Sequence, residues 1–326
     1  MPSVNTTRIL LAWRPGDGAP DTAGADAAAT AAWLARSGPV LVRPVSVIPR
    51  VWPEGDGEDH LGRAFGDWAA AESAACLEDA VTALRDAGLP EDSIDTTYRA
   101  GSSVPGTPTD GGDVLLSHSE TTALIDAATD FGADCILIGP RNGAPDGRFR
   151  AGATADALLH CSPLPVLTAP HAPVLSGHGI TRVSCAYVDT EQSQQALRHA
   201  SDLAARHRVP LRLVVFSPTG ATMYPTRVPL PEGKDARILA RWTARAEEII
   251  DRGRRRALER HPELEVQTGV GTGGDWETSV GDLRWKKGDL LVVGSSVLGT
   301  FNKVFIGPST NQILRHSPAP VLVSAV

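Results

Sequence analysis

The sequence feature that most constrains the fold is an internal repeat. Two stretches of the chain, one near its middle and one at its end, each contain an apolar run, a glycine-rich loop, a helical pattern and a second apolar run. Four residue pairs share one offset: Gly139 with Gly294, Gly152 with Gly307, Pro163 with Pro318, and Val166 with Val321. Because 294 − 139 and 321 − 166 both equal 155, the offset is constant across strand, loop, helix and strand, which indicates a tandem duplication.

The repeat divides the 326 residues into two units of common domain size. We expect a first unit at 1–172 and a second at 178–326, joined by a linker at 171–180. In the first unit, apolar patterns predict strands at 8–13, 40–48, 94–98, 135–138 and 166–168, and helices at 25–37, 61–87 and from 119. In the second unit they predict strands at 181–189, 211–216, 264–270, 290–293 and 321–323, and helices at 193–207, 235–260, 275–287 and 309–316. Residues 100–112 and 217–231 are rich in turn formers and are predicted as loops.

Each unit therefore alternates strands with helices from beginning to end. Right-handed crossovers turn such a pattern into a parallel sheet with helices on both faces. The fold class is α/β, with two tandem Rossmann-like units.

Composition and charge exclude several classes of function. A net charge of −7 argues against a nucleic-acid binder that works by bulk electrostatics. No apolar run is long enough to span a bilayer, and residues 1–5 lack the basic start of a signal peptide, so we expect a cytoplasmic protein without membrane contact. The four cysteines lack metal-ligand spacing and are predicted to be small buried thiols, so no metal site is expected.

The loop after the strand at 290–293 has the composition of a phosphate-binding loop. Gly294, Gly299 and Gly307 let backbone N–H groups come close to a ligand, because glycine reaches positive φ at little cost. Ser309 or Thr310 then opens a helix whose first N–H groups are unpaired and attract an anion.

With these residues in place, the chain resembles the universal stress proteins of the tandem type. The likeness covers nearly the whole chain and is strongest at 290–323, where GPSTNQILRHSPAPVLV closely matches the end of a family domain. The resemblance implies a five-stranded parallel sheet of order 3-2-1-4-5 in each unit, with ATP bound where the strand order reverses. It also implies that the last strands, 166–168 and 321–323, meet as in family dimers, here inside one chain as an intramolecular pseudo-dimer. The resemblance leaves open whether the chain also forms a homodimer and which protein it binds.

The family's ATP signature, G-x2-G-x9-G-[S/T], is partly present in the second unit. Gly294 and Gly307 have its outer spacing, but Val297 stands at the middle glycine and Pro308 at the hydroxyl residue. The resemblance assigns nucleotide binding to the residues Asp189, Gly294, Gly299, Gly307, Ser309 and Thr310, with Asp189 toward the ribose and base.

The first unit departs further from this signature. Asn142 and Ala153 replace the middle glycine and the hydroxyl residue, and Trp13-Arg-Pro15 stands where an aspartate should end the first strand. We therefore expect ATP in the second unit only.

Other motifs have simpler interpretations. A nucleophile elbow after Ser295-Ser296 would need glycine at Leu298, which argues against an α/β-hydrolase. Residues 272–275, Thr-Gly-Gly-Asp, are predicted to form an ordinary loop and helix cap. Arg252, Arg254, Arg255 and Arg256 are predicted to form a solvated helix face.

Two functions from different classes remain. The favoured one is a nucleotide-responsive stress protein that acts through binding without catalysis, because no base, nucleophile or metal cluster is positioned for chemistry. The alternative is an interaction or regulatory module of the same fold that has lost ATP binding. Slow ATP hydrolysis is a third interpretation.

Overall fold

The computed structural model of the chain describes residues 6–14, 22–49, 60–96, 114–117, 119–218, 235–297, 304–305 and 308–324. The first unit contains β1 (Thr7–Trp13), α1 (Thr22–Ala35), β2 (Val40–Pro49), α2 (His60–Asp86), a 3₁₀ turn (Glu91–Ser93), β3 (Val114–Ser117), α3 (Glu120–Phe131), β4 (Cys135–Ile138), α4 (Ala153–Cys161) and β5 (Val166–Thr168).

The second unit repeats this order with two additional short strands. It contains β6 (Arg182–Ala186), α5 (Glu191–His207), β7 (Leu211–Pro218), α6 (Asp235–Arg260), β8 (Val266–Gly273), α7 (Trp276–Gly281), β9 (Asp289–Gly294), β10 (Ser296–Val297), β11 (Val304–Phe305), α8 (Pro308–His316) and β12 (Val321–Ser324). β10 and β11 pair as an antiparallel two-stranded sheet inside the predicted glycine loop.

The described strands, apart from β10 and β11, form one sheet. Its order is β3-β2-β1-β4-β5-β12-β9-β6-β7-β8. The first five strands have the order 3-2-1-4-5 of their unit, and the second unit has the same order read from the other end. Both expectations for the sheet, parallel strands within a unit and this strand order, are confirmed.

The two units join through their last strands. β5 and β12 are antiparallel, with Leu322 opposite Leu167 and Val323 opposite Val166. The Thr168 hydroxyl adds a hydrogen bond to the Val321 carbonyl oxygen at 3.2 Å. This pairing confirms that the apolar edges of the two units meet inside one chain.

Helices cover both faces of the sheet and bury a continuous core on each. α1, α2, α5 and α6 pack on one face, and α3, α4 and α8 pack on the other. Leu167 and Leu322 belong to the first cluster, whereas Val166, Val321 and Val323 belong to the second. Since each cluster contains residues of both units, the core continues across the junction. No helix within the described ranges is long and apolar enough to cross a membrane.

Two of the predicted elements are wrong. The third strand of the first unit is Val114–Ser117, paired with β2, and not the predicted 94–98. Ile94 forms an isolated bridge to Val42, and the adjacent Asp95 carboxylate forms an ion pair with Arg43 at 2.6 Å. Residues 97–99 and the predicted loop at 100–112 lie outside the described residues.

The predicted helix at 275–287 is much shorter in the structure. α7 ends at Gly281, and the Asp282 carboxylate instead accepts hydrogen bonds from the backbone N–H and the hydroxyl of Thr272, at 3.0 Å each. Trp285 then folds back and donates its indole N–H to the Val280 carbonyl oxygen at 2.8 Å. The cap predicted at Asp275 is present, since its carboxylate accepts a bond from the Thr278 N–H.

The predicted linker is packed against α1 and the second unit. The Ile180 N–H donates to the Ser37 hydroxyl at 2.6 Å, and the Arg36 guanidinium donates to the Ser176 carbonyl oxygen at 3.1 Å. The Ser176 N–H in turn donates to the Lys287 carbonyl oxygen. These bonds fix the connection to both units.

Candidate functional site

The candidate site lies at the carboxyl end of β6, where the strand order of the second unit reverses. β6 lies between β7 and β9, and the chain leaves its carboxyl end to enter α5. Asp189 stands in this turn with a left-handed backbone, φ 60°, which aspartate tolerates better than most residues. Thr190 then caps α5, because its hydroxyl accepts the Ser193 N–H. The turn therefore places a carboxylate at the edge where such sheets bind ligands.

Four side chains hold the Asp189 carboxylate in place, the most distant being Gln194, which donates Nε2–H to Oδ1 at 3.5 Å. Tyr187 donates its hydroxyl to Oδ1 at 2.8 Å, and Arg252 donates Nε–H to Oδ2 at 2.7 Å. Arg256 donates Nη1–H to Oδ1. These bonds, that of Arg256 first, hold the pKa of Asp189 well below its usual range, so the group is an anion at any physiological pH.

The Tyr187 ring is fully buried beneath this ion-pair cluster. Burial, together with its hydrogen bond to Asp189, raises the pKa of Tyr187 to about 12, so the hydroxyl remains a donor. Gly253 lies between Arg252 and Arg256 on α6, and a Cβ there would stand 2.8 Å from the Tyr187 ring. The absence of a side chain at Gly253 thus lets α6 approach β6 closely enough for both arginines to reach Asp189.

Gly294, the first glycine of the loop, has a packing role. A Cβ on Gly294 would stand 2.7 Å from the carbonyl oxygen of Gln192, in the first turn of α5. The equivalent Gly139 of the first unit is in the same situation, since its Cβ would stand 2.1 Å from the carbonyl oxygen of Ala23. Both glycines therefore let a helix pass close to the end of the neighbouring strand.

The rest of the loop is only partly described. Gly299 and Gly307 lie outside the described residues. α8 begins at Pro308, which suits a first helical position because proline lacks the N–H that would be unpaired there. Ser309 is exposed in the first turn, and Thr310 donates its hydroxyl to the Gly294 carbonyl oxygen at 3.3 Å. Thus Asp189 lies after β6, while Gly294, Ser309 and Thr310 follow the adjacent strand β9.

One buried polar atom at the same edge has no partner among the described residues. The Ser217 hydroxyl lies near the carboxyl end of β7, is buried, and makes no hydrogen bond there. Trp33, on α1, is the other buried residue of this kind. A ligand at the edge could satisfy the Ser217 hydroxyl.

The first unit differs at the corresponding place. β1 ends at the buried Trp13, and the Arg14 guanidinium approaches the N-terminus of α4, so that a Cβ on Gly152 would lie 3.5 Å from its Nη2. Gly152 caps α4 without a side-chain hydrogen bond. Among the described residues, the Arg14 cation stands after β1, where the second unit has the Asp189 carboxylate.

The arginines of α6 were missed as site residues. Arg254 and Arg255 are exposed, as predicted for a solvated face, but Arg252 and Arg256 turn to Asp189. Their spacing of four residues around a glycine was the available signal. No cluster of three or more metal-ligating side chains occurs in the part of the chain that the structure describes.

Comparison with known proteins gives consistent matches. The model of the universal stress protein family matches residues 179–324. Universal stress protein Rv2319c of Mycobacterium tuberculosis (strain ATCC 25618 / H37Rv) is 34% identical over 218 residues, which are 66% of this chain and 73% of the relative.

Solved structures share the fold at low identity. A universal stress protein from Archaeoglobus fulgidus DSM 4304 covers 97% of this chain and 97% of its own length, with a TM-score of 0.60 and 17% identity. Another from Archaeoglobus fulgidus was solved in complex with dAMP. It covers 41% of this chain and 80% of its own, with a TM-score of 0.25 and 17% identity, which is too low a similarity to indicate a ligand of this chain.

Proposed function

Since the chain belongs to the universal stress protein family, we propose that its second unit, residues 178–326, binds ATP and acts in a stress response through binding. The first unit, residues 1–172, serves as its structural partner. The observation that carries the proposal is the Asp189 carboxylate, which is oriented and kept ionised at the point where the strand order reverses.

The carboxylate retains capacity for a ribose. Each carboxylate oxygen can accept about two hydrogen bonds, and Oδ2 receives one, from Arg252, among the described residues. A ribose hydroxyl can donate to the remaining lone pair. Arg252 and Arg256 fix the position of the carboxylate and so lower the entropic cost of this contact.

The phosphates are assigned to the loop after β9 and the first turn of α8. Backbone N–H groups come from Gly294, Gly299 and Gly307. Ser309 offers an exposed hydroxyl, and the N–H groups of Ser309 and Thr310 lie at the positive end of the helix dipole. Pro308 removes one donor from the same turn. The proposed affinity is therefore lower than that of relatives with an intact signature.

The proposal includes a cytoplasmic location and no chemical turnover. The four cysteines are free thiols, and burial raises the pKa of Cys135 and Cys185 to about 12, so both are unreactive thiols suited to a reducing compartment. The nucleotide acts as a signal that is bound and released unchanged.

The alternative function is an interaction module that no longer binds ATP. It is favoured by the hydrogen bonds that Asp189 already makes, since Tyr187, Arg252 and Arg256 hold the carboxylate without a ligand. In that case the cluster is a structural link between α6 and β6, and the protein acts through its surface on a protein partner.

Isothermal titration of ATP decides between the two. We expect wild type to bind one ATP in the second unit, and Asp189→Asn and Gly307→Val to bind at least about tenfold more weakly, because a hydrogen bond to a charged group or the backbone cradle is lost. ATP that copurifies with the protein from the cell should not be hydrolysed.

Asp202→Asn is the matched control. Asp202 forms the next ion pair of α6, with Arg260 Nε at 2.6 Å, but it lies on α5 away from the strand ends. This variant should bind ATP like wild type. Absence of heat up to millimolar ATP, or wild-type affinity in Asp189→Asn, would reject the assignment and leave the interaction module.

A further inference from the structure

A second site is indicated by a cleft of about 750 Å³ between the two units. One wall is the loop between β4 and α4 together with α4, and the other is formed by α8 and the first turn of α7. None of the residues that line it belongs to β1 or β6. The cleft is therefore distinct from the proposed ATP site after β6.

The charge of this cleft is unbalanced. Four arginines line it: Arg141, Arg148 and Arg150 from the loop, and Arg315 from α8. Arg148 has a carboxylate partner, Glu277, at the long distance of 3.9 Å. Arg141, Arg150 and Arg315 make no ion pair with any residue that the structure describes.

The remaining charged groups of the cleft do not correct this imbalance. The carboxylate of Asp156 lies 3.8 Å from Nδ1 of His160, its neighbour on α4. His316 contributes a second imidazole from α8. Two carboxylates, those of Asp156 and Glu277, thus face four guanidinium groups.

Backbone hydrogen bonds, within the loop and to His171, hold the loop that carries three of these arginines. The Arg141 N–H donates to the Arg150 carbonyl oxygen at 2.7 Å. The Gly147 N–H donates to the His171 carbonyl oxygen at 2.7 Å, and the His171 N–H returns a bond to the Arg148 carbonyl oxygen at 2.9 Å. Because the backbone is fixed, the loop keeps several like charges near one another, and a bound anion would relieve their repulsion.

The floor of the cleft is apolar. Phe149, Leu159 and Leu314 line it, and each is 3% exposed. A low-dielectric floor strengthens the attraction between the arginines and an anion. The volume lies within the range of small-molecule sites.

We propose that this cleft binds a small molecule through an oligophosphate group. A single carboxylate would neutralise one of the three unpaired guanidinium groups, whereas a chain of phosphates offers several charges and many acceptor oxygens. The planar fork of each guanidinium matches two phosphate oxygens. Gly152 and Ala153, at the start of α4, border the same space and add the positive end of a helix.

Titration of inorganic tripolyphosphate into the full chain tests this assignment, with Arg141→Gln/Arg150→Gln as the cleft variant. Both side chains are exposed, so the variant should fold, which its melting curve will show. The matched control is Arg254→Gln/Arg255→Gln, which removes the same charge from exposed positions of α6. We expect one tripolyphosphate per cleft, at least about tenfold weaker binding in the cleft variant, and wild-type binding in the control. The affinity should fall as salt is raised.

Three results would overturn the proposal: no binding at millimolar tripolyphosphate, equal loss in the control variant, or loss in Gly307→Val with retention in the cleft variant. The last result would place the phosphates at the other site. If ATP displaces tripolyphosphate from the Gly307→Val variant, the tail of a nucleotide is the source of the phosphates. If it does not, free oligophosphate is the source, and the cleft assignment holds in both cases.

Discussion

Gly253 and Gly294 occupy positions where another side chain would move a helix. Gly253 allows α6 to lie against the Tyr187 ring, and this contact brings Arg252 and Arg256 to Asp189. Glycine inside a helix costs about 0.5–1 kcal/mol relative to alanine. The close approach of α6 to β6 explains why the chain accepts that cost.

Gly253→Ala should therefore destabilise the protein although alanine is the better helix former. The added Cβ would stand 2.8 Å from the Tyr187 ring, and overpacking of this kind costs about 1–3 kcal/mol. Gly281→Ala is the control, because a Cβ at Gly281 meets nothing within 4 Å. Urea denaturation should show a lower free energy of unfolding for Gly253→Ala and an unchanged or higher one for Gly281→Ala. Equal values for the two variants would contradict the packing role of Gly253.

The sequence could indicate Asp189 but not its partners. Asp189 follows an apolar run directly, and Gly294, Ser309 and Thr310 follow another, so strand ends alone bring them to one edge. Arg252 and Arg256 lie more than sixty positions away on a helix whose orientation depends on tertiary packing. Local pattern predicts that such arginines are solvated, and the packing of α6 on Tyr187 overrides that prediction.

The β5–β12 pair is the element that makes one sheet of two units. Leu167 and Leu322 face each other across this pair and contribute to the same core cluster. Thr168 adds a side-chain bond across the same strands. The stability of each unit should therefore depend on the other.

Leu322→Ala tests this dependence. Leu322 is 6% exposed, and removing such a buried side chain costs about 2–5 kcal/mol. Because the core is continuous, the whole chain should unfold at lower urea in one cooperative transition. Leu322→Met keeps the volume and should lose less than about 1.5 kcal/mol. Two separate transitions in the wild type, with only one displaced by Leu322→Ala, would show that the units unfold independently.

The predictability of the elements follows the strength of their local pattern. β4 and β9 are continuous apolar runs ended by glycine, and the structure has them close to where the repeat predicts. β3 was missed because Val114-Leu-Leu is a short run, while Ile94 beside Asp95 gave a competing signal. α7 was predicted too long because Asp282 and Trp285 make hydrogen bonds to more distant residues, which helical periodicity does not reveal.

At the scale of the whole molecule, the antiparallel pairing of β5 with β12 makes the strands of the two units run in opposite directions. Strands within each unit are parallel, and β5 and β12 run in opposite directions, so the carboxyl ends of the two sets of strands lie at opposite edges of the sheet. One edge carries Asp189, and the other carries Trp13 and Arg14. We therefore expect the ribose at the edge that carries Asp189.

A crystal structure of the chain with saturating ATP tests this asymmetry most directly. We expect the ribose within about 3 Å of the Asp189 carboxylate. The phosphates should lie against the first turn of α8, and no ribose should lie at the carboxyl end of β1. A ribose bound after β1, or a nucleotide in the second unit that makes no contact with the Asp189 carboxylate, would contradict the proposal.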